Sequence, residues 1–195
     1  MSTHAQRRVV PSDGYVADSR DAAPRVRRVP VPAAARALSL LSDLDYAEAF
    51  IVDVDSAQDR PAEQWARAIF EDAPESLRLA LRQGWSALGY KLGSSRLDGN
   101  VLGWEVRRIT PDYVLLAASS RVGMPAELLV QRKHHTLVFC VFVRHEHCLA
   151  RALWAGIEPV HRLAVPRVLK QFSHRLADQE AATARLEQGA SQGRP

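Results

Sequence analysis

The sequence predicts an α+β protein in which a curved antiparallel sheet wraps around a long C-terminal helix. Four strand-like runs follow one another after residue 100, at Val101–Ile109, Tyr113–Ser120, Met124–Gln131 and Thr136–Arg144. A helical pattern then covers Cys148–Leu176. Because the sheet and the helix must bury their apolar faces against each other, we expect the helix on the concave side of the sheet, with a cavity between them.

Length and composition indicate one globular domain with flexible ends. The chain has 195 residues, 47% of them hydrophobic, and its two cysteines are too few for a disulfide framework. No run approaches the roughly 18 apolar residues of a membrane span, and the N-terminal segment lacks the apolar core of a secretory signal. We expect a cytoplasmic protein with no membrane span. Residues 1–30 should form a disordered or loosely attached arm, residues 31–176 the domain, and residues 177–195 a frayed tail.

The net charge of +4 does not by itself predict nucleic-acid binding. Arginine outnumbers lysine by 23 to 3, which is typical of the coding bias of a GC-rich genome. A nucleic-acid interface would need these arginines on one face, and they are spread along the chain. We therefore expect no nucleic-acid partner.

One strand and two helices precede the meander. The β-branched and aromatic residues of Asp45–Asp55 predict the first strand. Pro61 begins the first helix, since proline is tolerated in a first helical turn, and Trp65 lies on its apolar face. Pro74 restarts the chain into a second helix over Glu75–Gln83.

The connections within the meander are short enough for hairpins, so neighbouring strands should pair antiparallel. Alternation places Trp104 and Leu128 on the apolar side of the sheet that faces the core, with Glu105 and Glu127 on the opposite face. There either carboxylate is expected to pair with Arg107. If the faces were inverted, the two carboxylates would instead lie together in the cavity.

The run Leu137–Val143 differs from the others because both of its faces are apolar. Val138, Cys140 and Phe142 would form an exposed patch on the convex side unless something covers them. Two alternatives follow. Either the protein forms a homodimer through this face, or the arm around Val29–Pro32 covers it.

The closing helix predicts a cavity beneath it. Pro159 and Pro166 lie inside the helical pattern and should kink or break the helix. Ala152, Gly156 and Ala164 are small where a fully packed helix would often carry leucine. We therefore expect a cavity of roughly 300–1,000 Å³ for a hydrophobic small molecule. The residues expected to bind that molecule are Trp65, Trp104, Leu115, Leu128, Phe139 and His161.

Six segments carry a resemblance to a known family. They are Arg36–Ser39, Asp45–Phe50, Pro61–Ala68, Leu102–Val106, Ala126–Leu128 and the stretch from Ala152 to His161. With the order of elements, they make the chain similar to the helix-grip proteins of the START-like, polyketide cyclase-like (SRPBCC) superfamily, and more narrowly to an uncharacterised actinobacterial family within it. The resemblance implies a hydrophobic cavity for a lipid, a polyketide or another apolar molecule. It does not imply an enzyme, because the superfamily contains carriers, sensors and cyclases alike.

No sequence motif indicates which reaction the protein could catalyse. The chain has no Gly-rich phosphate loop and no nucleophile elbow, and we expect no cofactor. His161 is the candidate for acid–base chemistry or for anchoring a polar group of a ligand. The alternative is a histidine hydrogen-bonded to a strand or to the carbonyl freed by Pro159.

His145-Glu146-His147, with Cys140 and Cys148 nearby, offers the side-chain types that bind zinc. Two histidines fix only half of a four-ligand site, and no distant pair of partners is evident. The simpler interpretation is a solvated junction between a strand and a helix, with no metal.

Three functions remain open from the sequence. The leading hypothesis is a non-enzymatic carrier or sensor that binds an apolar small molecule. The second is a cyclase- or isomerase-like enzyme that uses His161 as acid–base. The third is a structural protein that oligomerises through the outer face of Leu137–Val143.

Overall fold

The described residues form one antiparallel sheet and four α-helices. The computed structural model describes residues 26–54, 57–94 and 99–192. The strands are β1 (Val26–Val29), β2 (Tyr46–Asp53), β3 (Asn100–Val101), β4 (Trp104–Ile109), β5 (Tyr113–Ala118), β6 (Ala126–Lys133) and β7 (Thr136–Val143). The helices are α1 (Ala33–Arg36), α2 (Ala62–Phe70), α3 (Glu75–Ala87) and α4 (Cys148–Gln192). The seven strands form one sheet in the order β1-β2-β7-β6-β5-β4-β3.

The α+β class and the helix-grip arrangement predicted from the sequence are confirmed. The sheet is open and antiparallel throughout, and the meander leads directly into the long C-terminal helix. The predicted run Val101–Ile109 differs in one respect, because it is two strands joined by a tight turn. Leu102 and Gly103 both have positive φ, 46° and 96°, which lets β3 fold back on β4.

Strand β2 closes the sheet by pairing with β7 along its whole length, from Tyr46 opposite Val143 to Asp53 opposite Thr136. Strand β1 adds outside β2, although its residues belong to the predicted arm. The rest of that arm, residues 1–25, lies outside the described residues. Strand β7 is internal, because it has a neighbouring strand on each side. Both of its faces are apolar, so other parts of the chain must cover both.

The concave face of the sheet carries the main core. Phe50 of β2, Leu128 of β6 and Phe139 of β7 belong to this core, and α2 contributes Trp65 and Ile69. All five side chains are at least 95% buried. The apolar alternation of the strands therefore faces the helices, as the sequence predicts for β6 and β7.

The segment Val29–Leu44, which includes α1, covers the convex face. Val138, Cys140 and Phe142 of β7 are buried there against residues of this segment. Of the two alternatives, coverage by the N-terminal segment is the one found, although the cover extends well beyond Pro32. A homodimer is not needed to hide this face.

Helix α4 runs through Pro159 and Pro166 without a break and continues past Leu176, where we expected it to end, to Gln192. Its first half is held to the sheet mainly by Trp154, and farther along Leu169 and Phe172 are buried. No helix in the described ranges is both long and apolar enough to cross a membrane.

Arg175 fastens α4 to the end of α2. Its guanidinium donates hydrogen bonds to the carbonyl oxygens of Ala68, Ile69 and Asp72, at 3.3–3.4 Å. The carbonyls of Ala68 and Ile69 belong to the last turn of α2, where backbone acceptors lack helical partners, and Asp72 follows two residues after the helix. Burial lowers the pKa of Arg175, but nearby Asp72 favours its charged form.

Candidate functional site

Strand β2 and helix α4 bring a carboxylate and a histidine together. Tyr46 and Phe50 belong to the concave core, so alternation places Glu48, between them, on the same face. Glu48 keeps only 2% of its surface exposed. From the opposite side, α4 presents Trp154 and His161, which are seven residues apart and therefore share a helical face.

The Glu48 carboxylate lies between two positively charged or titratable groups. Its Oε1 is 2.8 Å from Nε2 of His161, and its Oε2 is 3.5 Å from Nη2 of Arg28. The side chain of Glu48 is fully buried, whereas that of His161 is 20% exposed and that of Arg28 is 47% exposed. A buried carboxylate is costly unless charges or donors compensate it, so these two neighbours stabilise Glu48 in place.

The geometry leaves hydrogen-bonding capacity unused at this pair. Neither carboxylate oxygen of Glu48, nor Nε2 of His161, has a well-oriented hydrogen bond within the described part of the chain. The buried hydroxyl of Tyr46 also lacks a partner at full hydrogen-bond geometry, although it lies beside the Glu48 carboxylate and interacts with it. Burial and the nearby carboxylate of Glu48 raise the pKa of Tyr46, so its hydroxyl remains a donor at neutral pH.

An aromatic cluster holds the imidazole in position. The ring centroids of Trp154 and His161 are 5.2 Å apart, and Tyr46 lies 4.8 Å from Trp154 and 5.7 Å from His161. Tilted and edge-on contacts at these distances are favourable packing arrangements. His161 is therefore fixed by rings on one side and by a carboxylate on another.

A cavity of about 90 Å³ lies next to His161, between the sheet and α4. Its lining is Phe70, Leu81, Trp85, Leu128, Phe139, Val141, His161, Ala164, Val165, Val168 and Leu169. Of these residues only His161 is ionisable. The cavity is thus an apolar space with a single titratable group in its wall, and that group touches Glu48.

The cavity is smaller than we expected. Phe70 packs within 5.8 Å of Trp85 and 6.1 Å of Phe139, measured between ring centroids, and these rings take up much of the space beneath α4. Two of the three small residues that suggested a larger cavity, Ala152 and Gly156, lie on the exposed outer side of α4. Ala164 alone of the three lines the space.

Three of the six predicted lining residues, Leu128, Phe139 and His161, do line the cavity. Trp65 instead packs on Phe172 and donates from Nε1 to the carbonyl oxygen of Ala57.

The other two predicted lining residues lie elsewhere. Trp104 packs against Trp85 and Tyr90, with both ring centroids 5.4 Å away. Leu115 lies on the convex face. Both faces of β5 are apolar, so the alternation of its residues does not predict which of them face the core.

A second histidine–carboxylate contact lies at the start of α4. Asp45 accepts a hydrogen bond from the backbone N–H of His145 at 2.7 Å and another from Arg151 at 3.2 Å. These contacts, the backbone bond first, hold the pKa of Asp45 below its ordinary value. The His145 imidazole is only 5% exposed, and this burial lowers its pKa although Asp45 is 3.8 Å away.

The predicted zinc-like residues do not converge. His147 uses Nδ1 to accept a hydrogen bond from the N–H of Ala150, which caps the start of α4. Cys140 is buried under the convex cover, Cys148 is exposed, and both are free thiols. Across the described ranges, no group of three His, Cys, Asp or Glu side chains is arranged to hold a metal ion.

Glu105 and Glu127 lie outside the cavity, but in different surroundings. Glu105 pairs with Arg107 on the exposed surface at 2.9 Å. Glu127 is 98% buried beneath the convex cover, where it accepts hydrogen bonds from the hydroxyl of Ser39 and the N–H of Leu40. An open groove of about 530 Å³ runs past both carboxylates.

The residue that the sequence analysis missed is Glu48. The first strand was recognised, but its faces were not assigned. Tyr46 and Phe50 are both apolar, so strand alternation places Glu48, between them, on the core face. A carboxylate at a core position is unusual and therefore indicates a possible functional residue.

No protein-family model, curated protein or solved structure matches this chain. The resemblance to the START-like superfamily therefore stays a prediction.

Proposed function

We propose that the protein is a non-enzymatic carrier or sensor that binds an apolar small molecule of the lipid or polyketide kind beneath α4. The observation that carries this proposal is the apolar cavity whose one ionisable lining residue, His161, is held by a buried carboxylate. Pockets for small molecules commonly combine apolar walls with a few fixed polar groups. In this proposal the cavity takes an apolar part of the ligand and His161 takes a polar end.

The unused hydrogen-bonding capacity supports a ligand with a polar group. Glu48 and Tyr46 are both buried. They lie beside each other and Glu48 contacts His161 at 2.8 Å, but among the described residues none of these contacts has full hydrogen-bond geometry. Buried polar atoms normally have hydrogen-bond partners, so these side chains would hold a ligand hydroxyl or carbonyl placed beside His161.

The volume limits what can bind without movement. An apolar cavity of about 150 Å³ in another protein admits benzene, and the 90 Å³ space is smaller than that. A lipid- or polyketide-sized molecule therefore requires α4 to move away from the sheet. The sparse burial of the first half of α4, where Ala150 and Trp154 are the buried residues between 148 and 168, makes it the element best suited to move.

A cavity-filling variant tests binding. The protein is purified, its bound small molecules are extracted and identified by mass spectrometry, and the extraction is repeated with Ala164→Phe. Because Ala164 lines the cavity, the larger side chain should remove the bound molecule. The matched control is Ala152→Phe, on the exposed outer side of the same helix, which should leave it bound. Equal recovery from both variants, or no bound molecule in the parent protein, would refute the proposal.

The second candidate is acid–base catalysis, favoured by the 2.8 Å contact between His161 and Glu48. A carboxylate beside an imidazole orients the ring and stabilises the positive charge that forms when it takes a proton. His161→Gln distinguishes the two functions. An enzyme would accumulate unconverted substrate in this variant, chemically different from the molecule bound to the parent. A carrier would contain the same molecule, in a lower amount.

A further inference from the structure

His145 has a buried imidazole that the proposed binding function does not use. It lies in the short connection between β7 and α4, and its side chain is only 5% exposed. Neither ring nitrogen has a hydrogen-bond partner within the described part of the chain, and Oδ1 of Asp45 is 3.8 Å from Nδ1. Buried polar atoms normally have partners, so the position of this ring is unusual.

The ring of His145 packs on the residue that anchors the first half of α4. Its centroid is 5.8 Å from that of Trp154, whose other ring neighbours are Tyr46 and His161. Between residues 148 and 168, the buried residues are Ala150 and Trp154. The attachment of this part of α4 to the sheet therefore depends on the packing around Trp154.

The carboxylates that face His145 are already paired with arginines. Asp45 accepts the backbone N–H of His145 with Oδ2 and a hydrogen bond from Arg151 with Oδ1. Glu158 of α4 also acts on the ring through space, but it pairs with Arg162. A proton taken up by the ring would therefore add a positive charge where both carboxylates already neutralise another cation.

Water is a better environment than this site for a charged imidazole. Burial lowers the pKa of His145, and the attraction of Asp45 does not outweigh this effect. Protonation therefore favours conformations in which the ring is exposed. The ring belongs to the connection that leads into Cys148, the first residue of α4. Its movement into water displaces the start of the helix and removes one of the rings packed on Trp154.

We propose that His145 is a proton-operated latch, so that charging its ring releases the first half of α4 from the sheet and opens the cavity beneath. The release of α4 follows from the packing described here, whereas the exchange of a small molecule through the opening rests on the proposed function. The closed form is favoured above about pH 6.5, the ordinary pKa of histidine, and loses this advantage as the pH falls. One linked proton changes the opening equilibrium by at most about tenfold for each pH unit.

Hydrogen exchange of the backbone amides tests the latch in the full chain. Exchange is followed by mass spectrometry at about pH 7.5 and about pH 5.5, with correction for the intrinsic effect of pH on amide exchange. Residues 148–168 should be less protected than β6 and β7 at both pH values, because their opening does not require the sheet to unfold. Their protection should fall by up to about tenfold at the lower pH.

Two variants remove the titrating ring. His145→Gln and His145→Phe cannot take up a proton at this position, so residues 148–168 should be equally protected at both pH values. The two side chains differ in size and polarity, so a result shared by both is due to the lost charge and not to changed packing. The matched control is His174→Gln, which removes an exposed histidine of the same helix and should respond to pH like the parent.

N-phenyl-1-naphthylamine, a neutral apolar dye, tests the opening of the cavity. Its rate of entry, measured by stopped-flow fluorescence, should be up to about tenfold faster at the lower pH in the parent and unchanged in His145→Gln. Ala164→Phe, which fills the cavity, should remove the signal. If the dye does not bind beneath α4 at either pH, the proposed function fails, and hydrogen exchange still decides whether the latch exists.

Three results would overturn the latch. Residues 148–168 could be as protected as β6 and β7, which would mean that α4 opens only when the whole protein unfolds. Their protection could be the same at both pH values. Finally, both His145 variants could keep the pH response of the parent, which would assign that response to another group.

Discussion

Removing the imidazole of His161 should destabilise the protein measurably, because it takes away the closest charged or titratable partner of a buried carboxylate. In His161→Ala the fully buried side chain of Glu48 retains Arg28, whose nearest nitrogen is 3.5 Å away, and the neighbouring hydroxyl of Tyr46. Breaking a buried charge pair costs about 3–5 kcal/mol. His161 is 20% exposed and Arg28 is 47% exposed, so water can reach the gap and the loss should be nearer about 2 kcal/mol. For a chain of this size the melting temperature should fall by about 4–8 °C.

Thermal unfolding followed by circular dichroism at neutral pH measures this effect. The matched control is His174→Ala, which removes an exposed histidine of the same helix and should change the stability by less than about 0.5 kcal/mol. Glu48→Gln keeps the shape of the side chain and removes its charge. In that background His161→Ala should cost less, with a coupling free energy of at least about 1 kcal/mol in the double-mutant cycle.

Two results would refute this reasoning. If His161→Ala and His174→Ala melt at the same temperature, the contact between Glu48 and His161 contributes nothing to stability. If the effects of His161→Ala and Glu48→Gln simply add, the two side chains do not interact in the folded protein, and the 2.8 Å contact is not a persistent one.

Three further predictions follow from contacts elsewhere. Arg175→Ala removes the donors that cap α2 and should cost about 1–2 kcal/mol, measured by urea unfolding against Arg167→Ala, an exposed arginine of the same helix. Burial lowers the pKa of His145 from its usual 6.5, so the unfolded chain takes up a proton before the folded chain does, and stability should fall as the pH drops below about 6.5. The slope is at most about 1.4 kcal/mol per pH unit, and His145→Gln should reduce it. Cys148 is exposed and should react quickly with a thiol reagent, whereas burial raises the pKa of Cys140 to about 12 and should protect it until the protein unfolds.

Each of these three has a clear contrary outcome. Equal unfolding midpoints for the Arg175 and Arg167 variants would show that the capping bonds are not formed in solution. An unchanged pH slope in His145→Gln would assign the acid sensitivity to other groups, such as Asp45, whose lowered pKa makes its contribution disappear at more acidic pH. Two fast thiols in the folded protein would mean that the cover over Cys140 opens readily.

The architecture could be predicted because the strongest patterns lie in the meander. Alternation and short connections set the pairing of β4 to β7, and the helical period set the start of α4 at Cys148. The pairing of β2 with β7 was harder to predict, because no local sequence pattern in either strand indicates which strand it pairs with. The prediction of a frayed tail after Leu176 is wrong, because α4 continues to Gln192 through this polar stretch. Its Ala, Glu, Gln and Arg residues are strong helix formers even without packing.

The site was predicted only in part, for physical reasons that differ between residues. His161 stood out because it follows an apolar helical stripe. Glu48 was missed although alternation pointed to it, because the faces of β2 were not assigned. Leu115 could not be assigned, since Val114 and Leu116 are apolar too. The size of the cavity depends on how the side chains of Phe70 and Trp85 fill the space beneath α4. No local sequence pattern predicts such packing.

The pairing of β2 with β7 also has a consequence for how the chain folds as it is made. Asp45 and His145 are 100 residues apart, and their contact marks the end of this pairing. When the chain is synthesised from its N-terminus, β1 and β2 therefore have only each other to pair with until β7 has been made. A two-stranded unit of this kind is only marginally stable alone. Closing such a distant contact is slow. The last strand to arrive is also the one with two apolar faces, so the event that completes the sheet is the one that hides its most aggregation-prone segment.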